Sequence, residues 1–215
     1  MKKCVLFLIL FCSYGTSATV PVDQMVAICS PYPAIKTAAN PLEFNSTNNL
    51  ARPKDSAFYQ ADGEKIVIYG RLMGKDCVPI NDGKIYIWQN NSKGYAQYPT
   101  NSAGKAKWID PNFTGTGITN SDNLGRFNFI TIKPGSANKV TPYINIKIEH
   151  PRLKSFSSKI YFPPEGAYIH DDVAIRKQTK VAQVSAVPGD RDANGNITTY
   201  FIDITLDQTI NGKEY

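Results

Sequence analysis

The sequence has few histidines and cysteines, and it has no long hydrophobic run. Only two histidines, His150 and His170, occur among 215 residues, and no two cysteines form a Cys-x-x-Cys pair. A zinc site needs several such ligands at close spacing, so the composition argues against one. The apolar run at residues 5–12 is far shorter than the roughly 20 residues that span a bilayer. We therefore expect no membrane-spanning segment in the mature chain.

Residues 1–18 have the pattern of a secretory signal peptide. Lys2 and Lys3 precede the apolar run, and small residues lead to Ala18, after which we expect cleavage. The sequence thus predicts an exported protein, periplasmic or extracellular. Subtracting the two leader lysines from the formal charge of +6 leaves +4 on the mature chain.

Export determines how the cysteines are interpreted. Cys4 and Cys12 leave with the leader, so only Cys29 and Cys77 remain. In an oxidising compartment two cysteines most simply form a disulfide, which here would tie the N-terminal segment to the body of the protein. The alternative is a pair of unpaired buried thiols.

One segment, residues 93–108 (KGYAQYPTNSAGKAKW), interleaves lysines with aromatic residues. Such a pattern can bind single-stranded nucleic acid. An exported protein rarely meets nucleic acid, so we interpret this segment as a solvated loop and predict no nucleic-acid partner.

The chain divides at about residue 64. Residues 19–63 are rich in Pro, Asn, Ser and Ala without periodicity, which predicts an irregular N-terminal arm. Residues 64–215 contain short alternating segments rich in Ile, Val, Tyr, Phe and Thr, separated by turn residues, and none has a helical period. They predict an all-β antiparallel sandwich. The seven segments are residues 65–73, 83–89, 125–133, 143–150, 157–162, 180–187 and 197–206.

The segment at 143–150 (YINIKIEH) has the clearest alternation. Side chains of a strand point to opposite faces with period two. Ile144, Ile146 and Ile148 therefore share an apolar face. The opposite face carries Tyr143, Asn145, Lys147 and Glu149.

Motifs across residues 66–206 resemble the intradiol ring-cleavage dioxygenases, the family of catechol and protocatechuate dioxygenases. The resemblance rests on three segments. They are IYGRLMGKDCVPINDGKIYIWQNNSKGY (residues 68–95), DPNFTGTGITNSDNLGRFNFITIKPG (110–135) and the final FIDITL (201–206). It implies a β-sandwich fold. In that family a ferric ion is held by two tyrosinates and two histidines, and the histidines belong to a His-Ile-His-Phe strand.

At the position of that strand motif this chain has Asn145, Ile146, Lys147 and Ile148. The resemblance thus places Asn145 and Lys147 at the former histidine positions. An amide is a weak neutral ligand, and a protonated lysine has no lone pair to offer. We therefore expect no metal, no other cofactor and no catalytic residue.

Further positions of the family site are also changed. The second tyrosine falls near Ala137, and Tyr95 is a possible remnant of the first. Thr141 replaces a substrate-binding arginine, and Lys159 replaces a glutamine. The resemblance implies a vestigial pocket formed by Trp88, Tyr95, Thr141, Tyr143, Asn145, Lys147 and Lys159.

Two functions follow as hypotheses. The first is an exported, iron-free binding or structural module with a protein partner in a cell-envelope or secretion assembly. In it, Lys147 and Lys159 would either bind an anion or lie along the surface with their ammonium groups in water. The alternative is an aromatic-ring-cleaving dioxygenase with a rebuilt ferric site. Its iron would use Tyr95, Tyr98 or Tyr143 together with His150 or His170. The sequence does not predict an oligomeric state.

Overall fold

The computed structural model describes residues 29–51, 60–99, 108–136, 141–162, 187–191 and 197–208. These residues form eight strands and no helix, so the predicted all-β fold is confirmed. The described residues include no helix that is long and apolar enough to cross a membrane. The predicted signal peptide, residues 1–18, lies outside the described ranges. The strands are β1 (Lys65–Gly74), β2 (Lys84–Gln89), β3 (Thr116–Asn120), β4 (Arg126–Ile132), β5 (Tyr143–His150), β6 (Leu153–Tyr161), β7 (Val187–Arg191) and β8 (Thr198–Leu206).

The strands form two four-stranded sheets. The first has the order β4-β1-β8-β7, and the second has the order β3-β2-β5-β6. All strand pairs are antiparallel except β1 and β8, which run parallel from Ile66 opposite Thr198 to Gly74 opposite Leu206. The predicted antiparallel sandwich thus includes one parallel pair. A parallel pair needs a long crossover connection, and here almost the whole domain lies between the two strands.

The inner faces of the two sheets pack against each other to form one core. Alternate residues of the strands supply it, as period-two patterning requires. The ring of Phe127 lies very close to the backbone of Gly70, since a Cβ added at Gly70 would lie 2.0 Å from Cζ of Phe127. Glycine therefore lets the Phe127 ring lie over the β1 backbone. The fully buried strand side chains include Ile66, Ile68 and Leu72 of β1, Ile85 and Ile87 of β2, Phe129 of β4, Ile144 and Ile146 of β5, and Ile204 of β8.

Two strands differ from the sequence-based expectation. β3, with the sequence TGITN, was not predicted because it has no apolar alternation. β7, with the sequence VPGDR, contains the residues of a turn, but it is an edge strand, where proline is tolerated. The predicted strand at 180–187 overlaps β7 only at Val187, and its other residues lie outside the described part of the chain.

The described part of the N-terminal arm, residues 29–51 and 60–63, has no helix or regular strand. Cys29 forms a disulfide with Cys77, with the Cα atoms 5.3 Å apart, which confirms the predicted pairing. A cross-link over 48 residues restricts the unfolded chain, an effect of about 4 kcal/mol in the chain-entropy model. At the other end of the arm, Leu50 is fully buried and its N–H donates to the carbonyl of Ile130 (2.8 Å). The arm is therefore fixed at both ends.

Candidate functional site

The outer face of the second sheet carries most of the residues that the sequence singled out. Strand pairing places Trp88, Asn145 and Lys159 in one row across β2, β5 and β6. We call this the central row. On one side of it, Tyr143 of β5 pairs with Tyr161 of β6. On the other side, Lys147 pairs with Tyr86 of β2.

Asn145 is committed to the structure of the chain itself. Its side chain is only 1% exposed. The Nδ2 group donates to the carbonyl of Trp88 (3.1 Å), and Oδ1 accepts from the N–H of Ala38 (2.9 Å) in the arm. A buried amide with both ends hydrogen-bonded is satisfied. The position therefore serves to attach the arm to the sheet.

The arm continues along the same row. The Phe44 ring packs edge-on against the rings of Tyr86 and Trp88, with centroids 5.0 and 5.7 Å apart. The backbone N–H and the side-chain amide of Asn45 both donate to Oγ1 of Thr116 (3.0 and 2.8 Å). The polar face of β5 is thus partly covered by the chain's own arm. Sequence patterns gave no sign of this cover, because the arm has no periodicity.

On one side of the arm lies the Glu149 site, which comprises Tyr86, Lys147 and Glu149. The Glu149 carboxylate accepts from Lys147 Nζ (2.5 Å) and from the Tyr86 hydroxyl (2.8 Å). The ammonium also lies 5.5 Å from the centroid of the Tyr86 ring. The hydrogen bonds from Lys147 and then Tyr86 lower the pKa of Glu149 below its ordinary value. This site contains both its cation and its anion.

The Lys159 site comprises Lys159 of the central row, Tyr143 and Tyr161 in the row on the other side, and Tyr98 near Tyr143. Lys159 Nζ is 4.1 Å from the centroid of the Tyr143 ring, and the Tyr143 and Tyr161 centroids are 5.8 Å apart at 54°. Within the described ranges Lys159 forms no ion pair with a carboxylate. Burial lowers the pKa of Lys159, since a half-buried charge is poorly solvated.

The phenols of the Lys159 site are close neighbours. Tyr98 is only 8% exposed. Burial, and then the nearby Tyr143, raise the pKa of Tyr98 and also that of Tyr161. Both phenols are therefore protonated donors at neutral pH. In the central row, the buried indole N–H of Trp88 also has no acceptor among the described residues. This part of the face has more donors than acceptors.

The structure brings together only part of the predicted pocket. Trp88, Tyr143, Asn145, Lys147 and Lys159 share one sheet face. Tyr95 lies in the turn after β2, where its N–H donates to Oδ1 of Asn91 (2.9 Å). No ring contact or side-chain hydrogen bond links it to the Lys159 site in the part described here. Thr141 lies just before β5, and Ala137 is outside the described ranges.

Two residues of the site were missed as pocket members. Tyr161 packs against Tyr143, whose ring lies beside Lys159, and Tyr98 is a near neighbour of Tyr143. Tyr161 had a usable signal, since it lies two residues after Lys159 and so shares its face. Tyr98 had been considered only as a ligand of a rebuilt iron site, because its position depends on an irregular loop.

His150 does not complete a metal site with Tyr143. His150 ends β5, and its Nδ1 accepts from the N–H of Arg152 (3.2 Å). It lies seven residues along the strand from Tyr143, a separation of about 23 Å at the usual rise per residue. His170 is outside the described ranges. Among the residues described, no three His, Cys, Asp or Glu side chains are grouped so that they could hold a metal ion.

Comparison with known proteins gives consistent matches. Residues 42–208 match the family model described as Dioxygenase. A Rickettsia conorii protein named "Putative dioxygenase" is 36% identical over 127 residues, which cover 56% of this chain and 60% of that protein. The chain thus spans less than two thirds of that relative. A Rickettsia typhi protein of the same name is 31% identical over 176 residues, covering 79% of this chain and 78% of that protein.

The fold also matches a solved structure. The intradiol ring-cleavage dioxygenase from Tetranychus urticae superposes with a TM-score of 0.64 at 16% identity. The match covers 84% of this chain and 97% of that one. At this identity the likeness concerns the fold alone.

Proposed function

This chain belongs to the intradiol ring-cleaving dioxygenase family, and we propose that it is an exported binding module without a resident ferric ion. The observation that carries the proposal is the double hydrogen bond of Asn145 to Trp88 and Ala38. By the resemblance, Asn145 stands where the family has a histidine ligand. Its side chain is instead used to attach the arm.

The other donors on this face also fit a ferric ion poorly. Lys147, at the second former histidine position, is paired with Glu149. The Lys159 ammonium lies against Tyr143. Two ammonium groups repel a trivalent cation, and neither has a lone pair for it while protonated. Ferric sites favour hard anionic oxygen ligands, whereas burial keeps the phenols of Tyr98 and Tyr161 protonated.

Export is supported by two independent features. Residues 1–18 have the signal-peptide pattern, and Cys29 is disulfide-bonded to Cys77. Disulfides persist in oxidising compartments and are rare in the cytosol. Expression of the full chain in a bacterial host tests this point. We expect a periplasmic or secreted product whose intact mass corresponds to a first residue of Thr19; a full-length cytosolic product would contradict export.

Metal analysis tests the iron-free state. The full chain is expressed with iron supplementation, and the purified protein is examined for iron content and for a visible tyrosinate-to-iron absorption band. We expect less than about a tenth of an iron ion per chain and no band. About one iron ion per chain with the band would overturn the proposal. That result would support the ring-cleaving dioxygenase instead.

The double variant Asn145→His/Lys147→His provides a matched comparison. It restores the two-histidine pattern of the family on the same strand. If this variant gains iron under conditions in which the wild type does not, the two residues account for the absence of metal. Iron in both proteins would contradict that explanation.

A further inference from the structure

The Glu149 site shows how this sheet face binds a carboxylate. Lys147 Nζ and the Tyr86 hydroxyl both donate to Glu149, at 2.5 and 2.8 Å. Hydrogen bonds between an ammonium and a carboxylate are among the strongest in proteins. The lysine and the carboxylate come from positions two residues apart on one strand, so both project from the same face.

The Lys159 site has the same donors in a related arrangement. An ammonium lies beside the ring of Tyr143, which packs against the ring of Tyr161, and Tyr98 is a near neighbour of Tyr143. Two residues after Lys159, at the position equivalent to Glu149, the chain has Tyr161. None of the hydroxyls of Tyr98, Tyr143 and Tyr161 is hydrogen-bonded to another residue of the described structure. Among the described residues the arrangement therefore has a cation and several donors but no anion.

We propose that the Lys159 site binds the carboxylate group of a small organic acid. Lys159 would supply the charge, and the hydroxyls of Tyr143 and Tyr161 would supply directional hydrogen bonds. The inference rests on the proposed function, because an iron ion on this face would use the same phenols. A half-buried site favours such an interaction, since the charge attraction is stronger where water is partly excluded.

The arm contributes to this site by limiting its extent. It follows the central row through its contact with Asn145 and covers Trp88 with Phe44. Tyr143 and Tyr161 of the Lys159 site thus lie in the row on one side of this contact, and Tyr86 and Lys147 of the Glu149 site lie in the row on the other side. A ligand at Lys159 would meet tyrosines on its own side and the arm on the other, which favours a small molecule.

The experiment is an NMR titration of the purified mature protein with benzoate and with acetate at pH 7. We expect saturable shifts of amide signals around Tyr143 and Lys159. Lys159→Gln should weaken binding at least tenfold, and Lys159→Arg should retain it within a few-fold. Lys147→Gln is the matched control, since that lysine lies on the same face but already has a carboxylate, and it should leave binding within twofold.

A second set of variants tests the hydroxyls. Tyr143→Phe and Tyr161→Phe keep the rings and remove one hydroxyl each, so we expect binding to weaken several-fold. Tyr86→Phe is the control and should have no effect. Equal weakening by Lys147→Gln and Lys159→Gln would overturn the proposal, since it would indicate a response to net charge alone. Equal affinity for inorganic phosphate would overturn the assignment to a carboxylate.

Iron content measured on the same sample separates the two proposals. An iron-free protein that binds benzoate through Lys159 supports both. An iron-free protein without saturable binding overturns the inference and leaves the proposed function intact. A protein with stoichiometric iron, whose benzoate binding does not depend on Lys159, overturns both.

Discussion

The Glu149 site and the Lys159 site are built on one sheet face from the same two residue types, and they differ in one partner. Each places a lysine against a tyrosine ring. Two residues after the lysine, one strand has Glu149 and the other has Tyr161. The first arrangement contains both charges, whereas in the second no described carboxylate pairs with the cation. The residue two positions after each lysine therefore determines whether that lysine pairs with a carboxylate of its own strand or can bind an anion from solution.

The two faces of β5 also differ, since one forms part of the core and the other carries residues of both sites. The core isoleucines of β5 are fully buried, or nearly so, and pack between the sheets. Changes on the outer face leave that packing intact. Fold and function are thus carried by opposite faces of the same strand, which lets one change while the other is kept.

The largest expected effect comes from removing the contact that holds the arm between the two sites. Asn145→Ala removes the amide that joins the arm to β5. The N–H of Ala38 and the carbonyl of Trp88 would lose their partner, so we expect a loss of about 2–3 kcal/mol in the free energy of unfolding. Urea denaturation measures it. Asn120→Ala, at an exposed position on β3, is the control and should change stability by less than about 0.5 kcal/mol. Similar values for the two variants would contradict the role of Asn145.

The next prediction converts one site into the other. Tyr161→Glu places a carboxylate two residues after Lys159, as Glu149 lies two residues after Lys147. We expect the new carboxylate to pair with Lys159 and to reduce benzoate affinity at least tenfold, which corresponds to about 1.4 kcal/mol. Tyr161→Phe controls for loss of the hydroxyl and should have a smaller effect. Unchanged affinity in Tyr161→Glu would show that Lys159 is not the anion-binding group.

A third prediction compares the two lysines by the sign of their effect on stability. Lys147→Met removes the partner of Glu149 and should lower the free energy of unfolding by less than about 1 kcal/mol, as for partly exposed ion pairs. Lys159→Met removes a half-buried ammonium that has no carboxylate partner among the described residues, so we expect a rise of less than about 1 kcal/mol. Denaturation of both variants at pH 7 tests this. Equal losses would mean that Lys159 is as well paired as Lys147.

The sequence predicted the parts of this site that depend on strand periodicity. The alternation at 143–150 correctly separated the core isoleucines from Asn145 and Lys147. It could not predict that Ala38 would hydrogen-bond to Asn145, because this contact depends on the path of an aperiodic arm. β3 was missed for a related reason, since its edge position and its pairing with β2 are set by neighbours rather than by its own pattern.

The smallest expected effect concerns the pH dependence of the Glu149 site. Lys147 and Tyr86 lower the pKa of Glu149, with a smaller contribution from the charge of Lys84. The folded protein therefore binds a proton at Glu149 at lower pH than the unfolded chain does. The stability from this pair is fully present above the ordinary glutamate pKa of 4.5, and it is lost as pH falls through the lowered value.

Because the Glu149 side chain is 41% exposed, solvent screening limits this contribution to about 0.5 kcal/mol. Urea denaturation of the wild type and of Glu149→Gln between neutral pH and pH 3 measures it as a difference. Asp122, whose pKa is also lowered, contributes equally to both proteins and cancels. We expect the two stability curves to differ at neutral pH and to converge in acid. A constant difference across this range would mean that Glu149 stabilises the sheet by packing rather than by charge, and the contrast with Lys159 would then not be electrostatic.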